Sequence, residues 1–230
     1  MEDRKKSQVL LAVIGVATLL VAVIGATFAY FSAANVSGNS STNTITAQTA
    51  QYGNTTVTYD GTNGTINTGT LDLKESEKGT DYKYLMKFTV ATTATAAQNI
   101  TVNWKSVTNT FCKYRNASYI CTDTPTDTAV TGEIVYDFYS CTLAGYTGTT
   151  SSGTSVTINA GCTKISATTA ADVPATGATG LLHTAASLSL AAGGTNYYAL
   201  VVTFKNLDAN QNYQQQKSFT GQVNVGIAIH

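Results

Sequence analysis

Two alternating runs near the end of the chain restrict the fold more than any other feature. Tyr198, Leu200, Val202 and Phe204 occupy every second position of one run, and Val223, Val225, Ile227 and Ile229 do the same in the other. A period of two puts one set of side chains on a core face of a strand, whereas a helix needs a period near 3.6. Similar runs rich in Thr, Val, Ile, Tyr and Phe recur upstream between Gly, Asn, Asp and Ser clusters. Strands are expected over residues 55–59, 70–73, 82–91, 100–107, 134–141, 155–158, 186–190, 197–205 and 219–229. Residues 60–64 (DGTNG) contain an Asn-Gly pair and predict a hairpin leading into a short strand at 65–67. No stretch after Tyr30 holds a helical apolar period. The Gly/Thr/Ser-rich residues 145–153 and the Ala/Thr-rich residues 167–180 read as surface loops. The expected body, residues 55–230, is therefore an all-β antiparallel domain of sandwich or barrel size.

The other end is different in kind. Residues 9–30 (VLLAVIGVATLLVAVIGATFAY) are uncharged and apolar, with Arg4, Lys5 and Lys6 before them. About 20 such residues span a bilayer core, and the basic flank keeps the N-terminal side in the cytoplasm. Residues 1–29 thus read as a hydrophobic helix, either a signal peptide or a membrane anchor, and the chain beyond as exported to the cell surface or the extracellular space. The run exceeds the 7 to 15 apolar residues of an ordinary signal, as an anchor would. Thr27 and Ala29 place small side chains at −3 and −1, as cleavage between Ala29 and Tyr30 would need. Residues 30–54, uncharged and rich in Ser, Thr, Asn and Gly, form an extended segment before the β domain.

Charge and chemistry exclude several classes. Charged residues make up 11% of the chain and the formal net charge is +0, against about 25% charged in ordinary globular domains. Without a positive field, nucleic acid is not an expected partner. Four cysteines, Cys112, Cys121, Cys141 and Cys162, fall in the exported part, where an even number reads as disulfides. Four thiols allow three pairings. Residues 111–121 (FCKYRNASYIC) resemble a hairpin that brings Cys112 to Cys121, which leaves Cys141 for Cys162. No CxxC pair suggests zinc. There is no HExxH, GxSxG or P-loop pattern, so neither catalysis nor a cofactor is expected. His183, in a Leu-Leu-His-Thr stretch, reads as a structural histidine. Asp60, Asn63, Asp123, Asp127 and Glu133 lack calcium-loop spacing and read as turn residues and solvated charges. The Asn-x-Ser/Thr triplets at Asn35, Asn39, Asn54, Asn63, Asn99 and Asn116 are expected by chance in so Thr-rich a chain.

Three stretches together carry a family resemblance. Residues 25–32 (GATFAYFS), residues 68–73 (TGTLDL), and residues 199–205 (ALVVTFK) followed by 211–214 (QNYQ) and the final alternating run resemble, in that order, the TasA/camelysin family. The resemblance covers both ends of the chain; the middle shares only strand-rich character. It implies a leader cut by a signal peptidase of the SipW type, a jelly-roll-like β-sandwich, and a C-terminal hairpin from the last two runs. It also implies a self-assembling fibre subunit of the biofilm matrix whose N-terminal strand completes a neighbour's sheet. Tyr30, Phe31, Val36 and Ile45 are then the expected donor-strand contacts. The interval from Tyr30 to Gly69 is longer than the family's usual spacer, which leaves room for the extra hairpin around residues 55–67. A membrane-anchored surface binding module or adhesin is the alternative. A camelysin-like surface protease fits least, since no zinc motif is present.

Overall fold

A computed structural model describes residues 42–46, 53–61, 63–74, 77–166, 171–207 and 209–228. The leader at 1–29 lies outside the described residues, as do Tyr30, Phe31, Val36, Ile229 and His230. In chain order the strands begin with β1 (Thr42–Thr46), β2 (Asn54–Tyr59), β3 (Thr65–Asn67), β4 (Tyr82–Thr92) and β5 (Gln98–Asn109). Three two-residue strands follow, β6 (Tyr114–Arg115), β7 (Cys121–Thr122) and β8 (Thr128–Ala129), then β9 (Ile134–Cys141). After a short helix, α1 (Leu143–Gly148), come β10 (Thr150–Ser152), β11 (Ser155–Thr157), β12 (Cys162–Lys164), β13 (Ala171–Asp172), β14 (Gly180–Leu181) and β15 (Leu188–Leu190). The long strands β16 (Thr195–Phe204) and β17 (Phe219–Ala228) end the series.

These strands form two principal antiparallel sheets. The first runs β1-β2-β4-β16-β9-β12, with β13 also against β9; the second runs β14-β5-β17-β3, with β15 also against β5. β10 pairs with β11, and β6 carries β7 and β8 in a separate small sheet. The alternation seen in the sequence becomes a shared core: Met86, Phe88 and Val90 of β4, Phe138 of β9 and Leu200, Val202 and Phe204 of β16 meet Ile100, Val102 and Trp104 of β5 and Val223 and Val225 of β17. At its centre Phe88, Phe138 and Tyr198 pack with ring centroids 5.2 to 6.1 Å apart. The fold is thus all-β and sandwich-like.

Several local expectations are overturned. β2 and β3 do not form a hairpin: β2 pairs with β1 and β4, whereas β3 pairs with β17. The turn at Asn63-Gly64 instead carries the chain from one sheet to the other. Both residues have positive φ, and a Cβ on Gly64 would meet the Tyr59 ring at 2.8 Å. An Asn-Gly turn specifies the reversal and not the partner. Likewise β16 and β17 belong to opposite sheets, so the expected C-terminal hairpin is two facing strands. Residues 70–73 are not a ladder strand: Leu71 bonds through its main chain to Lys217 and Gln216, and the Leu73 N–H donates to the Gln215 side chain.

The supposed loop at residues 145–153 starts inside α1. Thr142 caps that helix by accepting the Gly145 N–H at 3.0 Å, and Gly145 packs so tightly on Gly161 that a Cβ would meet its backbone at 2.5 Å. Tyr146 then packs against Tyr197 of β16, ring centroids 5.5 Å apart and the planes tilted by 53°. Lys87 binds the Tyr146 and Thr149 carbonyls at 3.3 and 3.2 Å and the Asp60 carboxylate at 3.2 Å. β16 is buried on both faces from Tyr198 to Phe204, as for a strand enclosed between layers.

Candidate functional site

The N-terminal segment enters the described structure at the rim of the first sheet. β1 pairs antiparallel with β2, from Thr42 opposite Thr58 to Thr46 opposite Asn54, with Ile45 opposite Thr55. Among the described residues β2 is its only strand partner. Its sequence, TNTIT, carries no charge. The strand beneath it is tied to the core: Val57 and Tyr59 are buried, the Thr55 hydroxyl donates to Gln98 Oε1 at 2.9 Å, and the Tyr59 hydroxyl donates to the Val223 carbonyl at 3.1 Å. An edge strand leaves a row of N–H and C=O groups on its outer side, and charge, proline or bulges are what usually discourage pairing there. β1 has neither charge nor proline. Of the expected donor contacts, Ile45 lies on this rim; Tyr30, Phe31 and Val36, with the Ala29–Tyr30 junction, fall outside the described residues.

A second organised region surrounds Glu133. Although expected to be solvated, Glu133 is only 8% exposed. It accepts the Tyr213 hydroxyl at 2.5 Å and the Gln214 side-chain amide at 2.9 Å. Gln214, itself 1% exposed, uses its Oε1 to accept the Cys112 N–H at 2.9 Å. Burial, then the bond to Glu133, pushes the Tyr213 phenol well above its usual range. Gln211 holds the same 3-10 turn by accepting the Leu207 N–H at 2.7 Å and donating to the Lys205 carbonyl at 3.0 Å. The QNYQ motif is thus a polar plug. A cavity of about 160 Å³ lies beside it, lined in part by Asn109, Lys113, Glu133, Asp172 and Gln214.

The plug carries a stapled lobe. Cys112 and Cys121 are bridged with their Cα atoms 5.5 Å apart, and Arg115 lies over the Tyr119 ring at 4.5 Å, which stacks on Tyr213 at 6.4 Å. The lobe's tip exposes Ile120 (59%) and Tyr119 (39%). The second bridge, Cys141–Cys162, joins residues directly opposite one another on β9 and β12, Cα atoms 4.0 Å apart. The Glu133 centre is not legible in the local sequence because its partners lie some 80 residues downstream, and the QNYQ motif is the one signal that points to it.

His183 is 5% exposed. Its Nε2 accepts the Val102 N–H at 3.1 Å and its Nδ1 lies 2.7 Å from the Ala185 carbonyl, which fixes a neutral, structural imidazole. Among the described residues no three His, Cys, Asp or Glu side chains come together as a metal site, and no helix is long and apolar enough to cross a membrane. No family model, curated protein or solved structure matches the chain. What the arrangement offers chemically is backbone pairing at uncharged sheet edges.

Proposed function

We propose that this chain is an exported structural subunit that assembles into extracellular fibres by lending its extended N-terminal segment to the sheet of a neighbouring copy. One observation carries the reading: the segment reaches the folded body as β1, an uncharged strand at the rim of the first sheet whose only described strand partner is β2. An extended segment that can pair at a rim in its own subunit can do so in another, because the main-chain bonds are the same and alternate side chains supply the fit. The apolar run at residues 9–30 supplies export, a signal peptidase of the SipW type the cut after Ala29, and two disulfides suit an oxidising compartment. The resemblance to the TasA/camelysin family supports the same reading, with a jelly-roll-like ordering of the two sheets and Tyr30, Phe31, Val36 and Ile45 as donor contacts. The exposed stapled tip at Tyr119 and Ile120 favours a second reading, a surface binding module or adhesin that keeps its leader and stays monomeric.

The test is direct. The chain beginning at Tyr30 should form filaments visible by electron microscopy, and deletion of residues 30–49 should abolish them. Persistent monomers from the intact chain, or undiminished filaments from the deletion, reject subunit exchange and leave the binding module.

A further inference from the structure

At the end of the first sheet formed by β9 and β12, two side chains meet in an arrangement unlike an ordinary ion pair. Asp137 precedes Phe138, whose ring lies in the core, so its own side chain points to the sheet's other face. Opposite Asp137 on β16 is Val201; opposite Tyr139, two residues on, are Ala199 of β16 and Lys164 of β12. Cross-strand partners share a face, and a diagonal neighbour two positions off is within reach of a long side chain. Lys164 is that diagonal neighbour of Asp137, and its Nζ touches Asp137 Oδ1.

The contact is nevertheless not a hydrogen bond. Asp137 Oδ1 is buried and accepts none. Beneath the pair, Ala199 and Val201 form an apolar floor, both buried. An ion pair out of water and without hydrogen bonds lacks what normally favours its charged form. The two groups are also held in register. β12 has only three residues, and the bridge from Cys162 to Cys141, directly opposite on β9, fixes it two residues from Lys164. Two reactants so held act as though at concentrations of about 10⁵ M or more. With side chains 28% and 22% exposed, Lys164 and Asp137 keep a path by which a small product can leave.

We infer that Lys164 and Asp137 are the site of a self-formed isopeptide bond, Nζ to Cγ, which ties the edge strand β12 to β9. One proton first moves from the Lys164 ammonium to the Asp137 carboxylate, giving amine and acid. The Nζ lone pair then bonds to Cγ, the Cγ–OH bond breaks with its electron pair on oxygen, and a second Nζ proton completes one water. Nothing is oxidised or reduced, and no co-reactant enters. Tyr139, opposite Lys164 and raised above its usual range by burial and then by the Asp137 charge, keeps a protonated phenol close by to relay that proton. The bond forms whether or not the chain polymerises. Unlike the Cys141–Cys162 bridge beside it, an amide is not opened by thiols.

The full chain, reduced and digested with trypsin, reports the bond by mass spectrometry. Between Arg115 and Lys205 the sole trypsin site is Lys164, and an acylated Nζ prevents cutting there. The expected product is a single fragment, residues 116–205, lighter than its sequence mass by one water. Lys164→Arg and Asp137→Ala should each restore the cut after residue 164 and the full mass, and either variant suffices should the other fail to fold. Separate fragments 116–164 and 165–205 at their sequence masses, from the folded wild type, would leave a plain ion pair and overturn the inference. Loss of water from a chain still cut after Lys164 would place the dehydration elsewhere and overturn it equally.

Discussion

The aromatic centre of the sandwich and the stapled lobe over residues 111–132 are held by different forces. At the centre, strands of eleven, ten and eight residues bring Phe88, Phe138 and Tyr198 together with at most 1% of each exposed. The lobe has three strands of two residues each and an apolar tip in solvent. It has no core of its own. One bridge and the Lys113 carbonyl accepting the Val130 N–H at 2.8 Å tie it internally, and its place is fixed by Phe111, buried and stacked on Phe204 of the core at 5.7 Å, and by the Cys112 N–H bonded to Gln214 of the plug. Where a segment is too small to build a core of its own, covalent and polar ties supplement such an anchor. The two regions should therefore fail separately.

The largest effect is expected at the centre. Phe138→Ala removes a ring stacked on Phe88 and Tyr198 and should cost about 3 to 5 kcal/mol, seen as a lower urea midpoint for the whole domain. Next comes the lobe: replacing Cys112 and Cys121 together by Ala opens a loop of sequence separation 9 and should cost about 2 to 3 kcal/mol, but locally. Hydrogen exchange at residues 114–122 should accelerate while the core strands keep their protection. A core destabilised as far as by Phe138→Ala would show that the regions unfold as one. Smaller again, Glu133→Ala leaves the Tyr213 hydroxyl and the Gln214 amide buried without their acceptor, a cost of about 1 to 3 kcal/mol. Glu133→Gln, which keeps an acceptor, should lose less. Equal losses in the two variants, by thermal melting, would mean that packing and not hydrogen bonding makes the plug.

The same division explains what the sequence disclosed. β4, β5, β9 and β16 are legible because long alternating runs need no knowledge of partners. The turn at Asn63-Gly64 was misread because a hairpin and a crossing between sheets ask the same local conformation of Asn and Gly. The deciding partner of β3 is β17, about 150 residues later. Residues 70–73 have the composition of a strand but form no ladder, because the Leu73 N–H donates to the Gln215 side chain in place of a backbone carbonyl. Glu133 could not be seen as buried from its neighbours, since Tyr213 and Gln214 bury it. α1 was invisible for a further reason: six residues with two glycines carry no period, and the Thr142 cap and the contact of Gly145 with Gly161 hold it.

The smallest predicted effect lies outside both regions, at His183, and its sign follows from the hydrogen bonds. Nε2 accepts the Val102 N–H of β5, so the ring fits only while that nitrogen keeps its lone pair. Burial lowers the folded pKa below the ordinary 6.5, with the Ala185 carbonyl acting in the opposite direction. Above 6.5 both folded and unfolded chains hold the imidazole neutral and the full contribution to stability is present. As pH falls below 6.5 the unfolded chain takes up a proton that the folded chain resists, so stability declines until the folded ring titrates as well. The melting temperature should therefore fall between pH 7.5 and pH 5 by more in the wild type than in His183→Gln, whose amide can accept from Val102 and donate to Ala185 without titrating. An equal fall in both proteins would place the acid sensitivity elsewhere and leave His183 a packing residue alone.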